Sequence, residues 1–189
     1  MNFCSSCGKA VEHRIPPGDN RPRYVCPACD TVHYQNPRII AGCIAEHEDK
    51  ILLCKRAIEP RYGLWTLPAG FMENAETTLQ AAARESFEEA NARLDNMRLY
   101  CTYSITHISQ VYMMYRGTLV DGYAAAGDES LETRLFSEDE IPWDELAFPV
   151  IRETLKLYYA DRRRGEFPVR DGEIYRDAAQ QIIVDNYPL

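Results

Sequence analysis

The chain contains no apolar run near the roughly 18 residues that a membrane-spanning helix needs, so no membrane partner is expected. Its first residues, Met1-Asn2-Phe3-Cys4, carry neither the basic and apolar regions of a secretory signal nor the arginine-rich start of a transit peptide. A cytoplasmic protein is therefore expected. Positive charge is in deficit: 21 Lys and Arg stand against 29 Asp and Glu, a net charge of −8. Affinity built on neutralising a phosphate backbone is disfavoured by that balance, and no nucleic-acid partner is expected. A small phosphate substrate stays compatible, because bound cations bridge carboxylates to phosphate. Repeats and low-complexity tracts are absent. What remains, 189 residues with 46% hydrophobic and 26% charged, suits one ordinary globular domain with a small appendage.

Cysteine is present in an odd number, seven. In a protein read as intracellular, metal ligation and buried thiols are expected rather than a disulfide framework. Cys4-x2-Cys7 and Cys26-x2-Cys29 have the spacing of a four-cysteine zinc site, each pair converging from a tight turn. Gly8, Pro27 and the cluster Pro16-Pro17-Gly18-Asp19-Asn20 supply turn chemistry. Residues 1–34 thus read as a zinc ribbon too small to fold without its ion; iron satisfies the same spacing. Four thiolates fill a tetrahedral ion, so the zinc is expected to be a structural clip. A nucleic-acid-binding ribbon would need a denser basic stripe, and His33 reads as a packing or surface residue. Cys43, Cys54 and Cys101 lie in apolar stretches and read as core.

Asn36-Pro37 marks a break. Beyond it, residues 38–45 and 50–56 read as a hairpin, and 64–67 as a short strand before a proline-glycine turn. Residues 100–109, 111–120 and 133–136 also read as strands. A helix is predicted from Pro149, a good first-turn residue, to Arg164. The run Arg162-Arg163-Arg164 reads as a solvated helix end favoured by the macrodipole. The domain reading is 1–34, 35–164 and a C-terminal extension, 165–189, with no legible chemistry.

The chemistry concentrates between Gly70 and Ala92. Thr77 and Gln80 form a capping box, which predicts a helix from Thr78 to about Asn91, a residue suited to a C-terminal cap. Leu79, Ala82, Ala83, Ser86, Phe87 and Ala90 fall on one predicted buried stripe. Glu85, Glu88 and Glu89 are placed on the other side at i, i+3 and i+4, where like charges repel. A lone cluster of this kind would read as a solvated acidic face. Here Arg84 precedes it, Glu76 lies eight residues before Arg84, and Pro68-Ala69-Gly70 forms a turn upstream. Together they point to a cation site.

The spacing G-x5-E-x7-R-E-U-x-E-E-x-G-U, with U aliphatic, is the Nudix box, and the chain resembles it at Gly70, Glu76, Arg84, Glu85, Glu88 and Glu89. Ser86, Asn91 and Ala92 depart from it at packing and capping positions. The resemblance implies an α/β fold, a Nudix α/β/α sandwich around a mixed β-sheet, here preceded by the small zinc ribbon. It implies Mg2+ or Mn2+ on Glu85, Glu88 and Glu89 with the Gly70 carbonyl assisting, an orienting pair Glu76–Arg84, and a homodimer by family habit. Hard cations favour such oxygen ligands, and they assist in-line attack on a diphosphate bridge. The general base is expected in the acidic loop 127–132: Glu129 first, Glu132 next, Glu85 as alternative.

The stretches YQNPR, GLWTLPAGFME and ESLETRLFSEDEIPWDELAF resemble the zinc-ribbon Nudix group that includes the plant chloroplast FAD and ADP-ribose pyrophosphatase. The implied reaction is FAD to FMN and AMP, with ADP-ribose or NADH as alternatives. NADH pyrophosphatases share the ribbon but usually carry a SQPWPFPxS signature after the box, which is missing here. Arg38 and Arg56 are candidate phosphate contacts. Tyr62, Trp65, Tyr103, Tyr112 and Tyr115 are candidates for stacking on a ring, with His107 and Gln110 near the same pocket. A non-catalytic nucleotide-sensing regulator is the competing reading; such proteins often lose box glutamates, and this chain keeps them.

Overall fold

The structure, a computed structural model, describes residues 1–187. The chain divides into two compact units, Met1–Pro37 and Arg38–Leu189.

The first unit is a three-stranded antiparallel sheet of β1 (Glu12–Arg14), β2 (Arg23–Val25) and β3 (Val32–His33), in that order. Apart from Pro16, its buried residues are Cys4, Val25 and Cys26. So small a core cannot offset the entropy of ordering the segment. The cysteines supply what is missing. The four sulfurs lie within 4.8 Å of one another, with Cys4 Sγ and Cys29 Sγ 3.7 Å apart and Cys7 Sγ and Cys26 Sγ 3.5 Å apart. Thiolates about 2.3 Å from a shared tetrahedral centre stand about 3.8 Å from each other, so the set fits zinc. His33 Nε2 lies 3.3 Å from Cys4 Sγ, which makes it a neighbour of the ligand set. Burial works against the Cys4 thiolate, but the Ser6 and Cys7 amides and His33 outweigh it and pull the thiol down to about 5.

This geometry gives a thiol-counting test. A zinc chelator is expected to make the four ribbon thiols react quickly with a thiol reagent and to open residues 1–37 to protease. Cys43, Cys54 and Cys101, each at most 1% exposed, should stay silent until the chain is denatured. Seven silent thiols after chelation would refute a metal-held ribbon.

The second unit is built on one mixed sheet. Its elements are β4 (Arg38–His47), β5 (Lys50–Arg56), β6 (Trp65–Thr66), β7 (Ala69–Phe71), α1 (Thr78–Ala90), β8 (Leu94–Ile105), β9 (Gln110–Leu119), β10 (Ser130–Phe136), α2 (Pro149–Arg164), β11 (Arg170–Arg176) and β12 (Ile182–Asn186). The strand order is β10-β5-β4-β9-β8-β11-β12, with β6 on β5 and β7 on β4. The β4–β9 and β8–β11 pairs are parallel and the others antiparallel.

Alternation along the strands separates two apolar layers. Ala41, Cys43 and Tyr115 pack with Ala81 and Ala82 of α1. The intervening residues, such as Ile44, Leu53 and Met114, pack with Ile151, Leu155 and Tyr158 of α2. On β8, Tyr100 and Cys101 both join the α2 layer, because the register shifts between Leu99 and Cys101. The result is a mixed sheet with a helix on each face.

Helix α2 spans the predicted residues, opened by Pro149 and closed by Gly165 at φ 72°. The arginines at its end are all engaged. Arg162 donates to the Asp49 and Glu48 carbonyls, Arg163 pairs with Glu138, and Arg164 pairs with Asp161. The following residues, in which the sequence showed no chemistry, form β11 and β12 and enlarge the sheet.

Candidate active site

Helix α1 begins with the expected capping box. Thr77 Oγ1 accepts from the Gln80 amide at 3.2 Å, and Gln80 Oε1 accepts from the Thr77 amide at 2.8 Å. Its buried stripe differs from the predicted one. Leu79 and Phe87 are 41% and 48% exposed, whereas Glu85 and Glu89 are only 9% and 6% exposed. The stripe is rotated because alanines, not the larger apolar residues, meet the sheet. Ala81, Ala82 and Ser86 allow the close approach, and the Ser86 hydroxyl donates back to the Ala82 carbonyl at 2.7 Å. The rotation brings two glutamates under the edge formed by β7.

Gly70 on β7 leaves the space that the Glu85 carboxylate occupies. A Cβ on Gly70 would overlap the Glu85 carboxylate. The Ala69 amide donates to Glu89 Oε2 at 3.3 Å. Arg84 organises the remainder. It grips Glu76 with Nε and Nη2 at 3.1 and 2.8 Å, and its Nη2 also donates to the Phe71 carbonyl at 3.1 Å. Its Nη1 reaches Glu85 at 2.7 Å and Glu88 at 2.8 Å. The Glu76 bond, first among several carboxylate contacts, keeps Arg84 firmly charged. The same bond, with the Glu73 amide, holds Glu76 below the ordinary carboxylate range.

The acidic loop arrives through the far end of α1. Asn91 takes the left-handed conformation at φ 48°, the conformation for which glycine is favoured at this position. Its side chain then donates to the carbonyls of Ala125 and Ala126 at 3.1 and 3.4 Å, contacts a glycine cannot make. The Gly127 amide donates to the Glu89 carbonyl at 2.9 Å, and a Cβ on Gly127 would strike the Glu88 carbonyl. Pinned in this way, the loop carries Glu129 close enough to raise the proton affinity of both Glu85 and Glu89. For Glu89, burial is the main cause and the Glu85 charge adds to it; its carboxyl is pushed up to about 8. Burial likewise raises Glu85, against the pull of Arg84.

These groups line a cleft of about 1240 Å3. The cleft includes Gly70, Arg84, Glu85, Glu88, Glu89 and Glu129, and also Arg56, His107, Gln110 and Tyr112. Arg56 stacks on Phe148 at 5.2 Å and donates to the Pro60 carbonyl. Several expected contacts lie elsewhere. Trp65, 6% exposed, is in the core against Phe136. Tyr103, 1% exposed, is also core, its hydroxyl donating to Asn186 Oδ1 at 2.5 Å. Tyr115 is buried with its hydroxyl on Thr78. The Arg38 guanidinium lies over the Phe71 ring, and Tyr62 is exposed; neither lines the cleft. Glu132 lies past a bulge in β10, opposite Lys55, and is also outside it. Aromatic residue type suggests ring contacts, but strand phase sends most of these side chains into the core.

The lining also includes Phe87, expected on the buried stripe, and Phe148, Ile174, Arg176 and Ile182, which residue type alone does not single out. One signal was available for the last three: Ile174, Tyr175, Ile182, Ile183 and Val184 flank a short polar turn, a hairpin pattern.

A zinc-ribbon family model, described as Nudix N-terminal, matches residues 2–35, and the NUDIX domain model matches residues 36–158. The chain belongs to the Nudix hydrolase family. Among the relatives of this Nudix chain is the NAD-capped RNA hydrolase NudC of Photobacterium profundum, 30% identical over 86% of the chain. The chain spans 61% of that relative's length. An ADP-ribose pyrophosphatase of Methanocaldococcus jannaschii is 33% identical over 61% of the chain and 69% of its own length. The crystal structure of a NUDIX hydrolase from Nitrosomonas europaea is 58% identical with a TM-score of 0.90, covering 93% of this chain and all of that one.

Proposed function

We propose that the protein is a metal-dependent pyrophosphatase that splits the diphosphate bridge of an ADP-containing dinucleotide, FAD first among them. The observation that carries the reading is the excess of negative charge on one partly buried surface. Glu85, Glu88, Glu89 and Glu129 converge on the cleft, where Arg84 offsets part of the charge on Glu85 and Arg56 part of that on Glu89. Glu85 and Glu89, desolvated by burial, favour a bound cation that exposed Glu88 can help to hold. Glu85, Glu88 and Glu89 with the Gly70 carbonyl would hold Mg2+ or Mn2+. A divalent cation there supplies phosphoryl charge stabilisation and water activation.

The chain's own groups account for the rest. Water attacks one phosphorus, the P–O bond of the bridge breaks, and the departing phosphate keeps the bridging oxygen. Glu129 accepts the proton of the attacking water, its place in the cleft lining favouring it over Glu132. Arg56 faces the bridge phosphates, and Tyr112 offers an aromatic face. The intact carboxylate set favours catalysis over nucleotide sensing. The relatives named for ADP-ribose and for NAD-capped RNA support the ADP-containing class and put an RNA-linked diphosphate within it.

The test is a panel of FAD, NADH, ADP-ribose and an NAD-capped oligonucleotide with Mg2+ or Mn2+, its products separated by chromatography. FMN and AMP formed fastest from FAD would support the full reading. Faster release from NADH, ADP-ribose or the capped oligonucleotide would replace FAD. No turnover of any diphosphate would overturn the pyrophosphatase reading.

A further inference from the structure

The family's domain match ends at residue 158, yet the cleft does not. Ile174, Arg176 and Ile182 line it, and all three belong to the β11–β12 hairpin. From β7, which carries Gly70, the sheet runs through β4, β9 and β8 to β11. Those four strand spacings amount to about 19 Å along the sheet, a span suited to an extended dinucleotide. The glutamates and the hairpin therefore lie several strands apart along a single cleft.

The hairpin is held as a wall rather than as a loose tail. The β11 backbone pairs with β8 from Arg170↔Cys101 to Ile174↔Ile105. Thr102 donates to Asp171 at 2.6 Å, Thr106 to Glu173 at 3.2 Å and Tyr103 to Asn186 at 2.5 Å. Buried Asp161 ties Arg170 at the start of β11 to α2. On the cleft side, Ile174 and Arg176 share one face of β11 by alternation, and Ile182 sits opposite Arg176 in the register. Ile174 and Ile182 share the cleft with Tyr112 and give it an apolar lining of the kind a flat ring packs against. Arg176, its Nη1 donating to the Gln180 carbonyl at 2.7 Å, adds a planar cation of the kind that stacks on rings.

We propose that the β11–β12 hairpin is the specificity wall of the cleft, holding a planar heteroaromatic ring of the substrate several strands away from the glutamates. The inference rests on the diphosphate reading and deepens it. It assigns substrate choice to residues outside the matched family domain.

Arg176→Ala and Ile182→Ser lie at exposed positions and leave the Ile174 core contact in place. Each is made in the wild-type chain and in a Glu88→Gln background, where binding can be measured by calorimetry without turnover. The expected result is a loss of affinity of about tenfold for at least one of FAD, NADH and ADP-ribose, with unchanged circular dichroism. In the wild-type background KM should rise by a similar factor while kcat stays within about twofold. Affinity for all three unchanged within twofold would overturn the wall, as would a Glu88→Gln protein that binds none of them. Hairpin-sensitive binding in a chain that hydrolyses nothing would keep the wall and sink the pyrophosphatase reading alone.

Discussion

Replacing Glu89 with glutamine is expected to lower turnover at least about a thousandfold, roughly 4 kcal/mol of transition-state stabilisation, while making the metal-free protein more stable. The two effects share one cause. Glu89 is 6% exposed, its neighbours Glu85 and Glu129 are also acidic, and its carboxyl is pushed up to about 8. An uncompensated buried charge is costly, and that cost is retained where a cation is to be bound. Glutamine keeps the shape and can still accept from the Ala69 amide, but it discards the charge. In chelator at pH 8, the variant should gain about 2 kcal/mol, or roughly 5 °C in Tm.

The pH dependence has a definite sign. Folded Glu89 holds its proton more tightly than the unfolded chain does, so wild-type stability falls as pH rises from the ordinary carboxylate range towards about 8. Glu89→Gln should lack that slope. Added Mg2+ or Mn2+ should raise the Tm of the wild type and raise that of the variant much less. A variant that is as active as wild type, or that melts lower in chelator at pH 8, would show that Glu89 is a structural partner rather than a cation ligand.

The second large effect lies away from the glutamates. Asp161→Asn is expected to cost about 3 kcal/mol. Asp161 is fully buried, accepts from Tyr100 Oη at 2.8 Å and from Arg170 Nε at 2.8 Å, and is also paired with Arg164. Burial disfavours its charge, but the Arg170 and Tyr100 bonds and the nearby arginines outweigh that and hold the carboxyl below its usual range. The unfolded chain therefore binds this proton more readily, and the stabilisation is present at neutral pH. It is lost as pH falls below about 4 and through the folded value.

Denaturant unfolding at pH 7 and at successively lower pH would check this, with the gap between wild type and Asp161→Asn narrowing towards acid. A gap that is independent of pH would mean that packing, not charge, is what the substitution removes. Because Arg170 opens β11, the variant should also loosen the hairpin. Protease cleavage within residues 165–187 should precede global unfolding.

The sequence by itself determined the parts whose signals are local. Cysteine spacing places four sulfurs on one centre through two short turns. Thr77 with Gln80 and Asn91 bound the first helix and Pro149 opens the second, because capping satisfies backbone groups within a few residues. The box spacing names the glutamates because helical periodicity holds them within one or two turns of each other.

Only the tertiary structure decided which way those groups face. Leu79 and Phe87 look like core by type, yet Ala81 and Ala82 meet the sheet, since close helix–sheet approach selects small side chains over large ones. That rotation is what buries Glu85 and Glu89. Glu129 and Glu132 are alike in sequence, and a bulge in β10 with the Asn91 tether admits only Glu129 to the cleft. Trp65 and Tyr103 offered aromatic faces, and strand phase turned both inward. The hairpin after α2 reaches the cleft through a parallel pairing with β8, about seventy residues earlier in the chain. Local pattern can mark such strands, but it cannot name their partner, because register is a property of the assembled sheet.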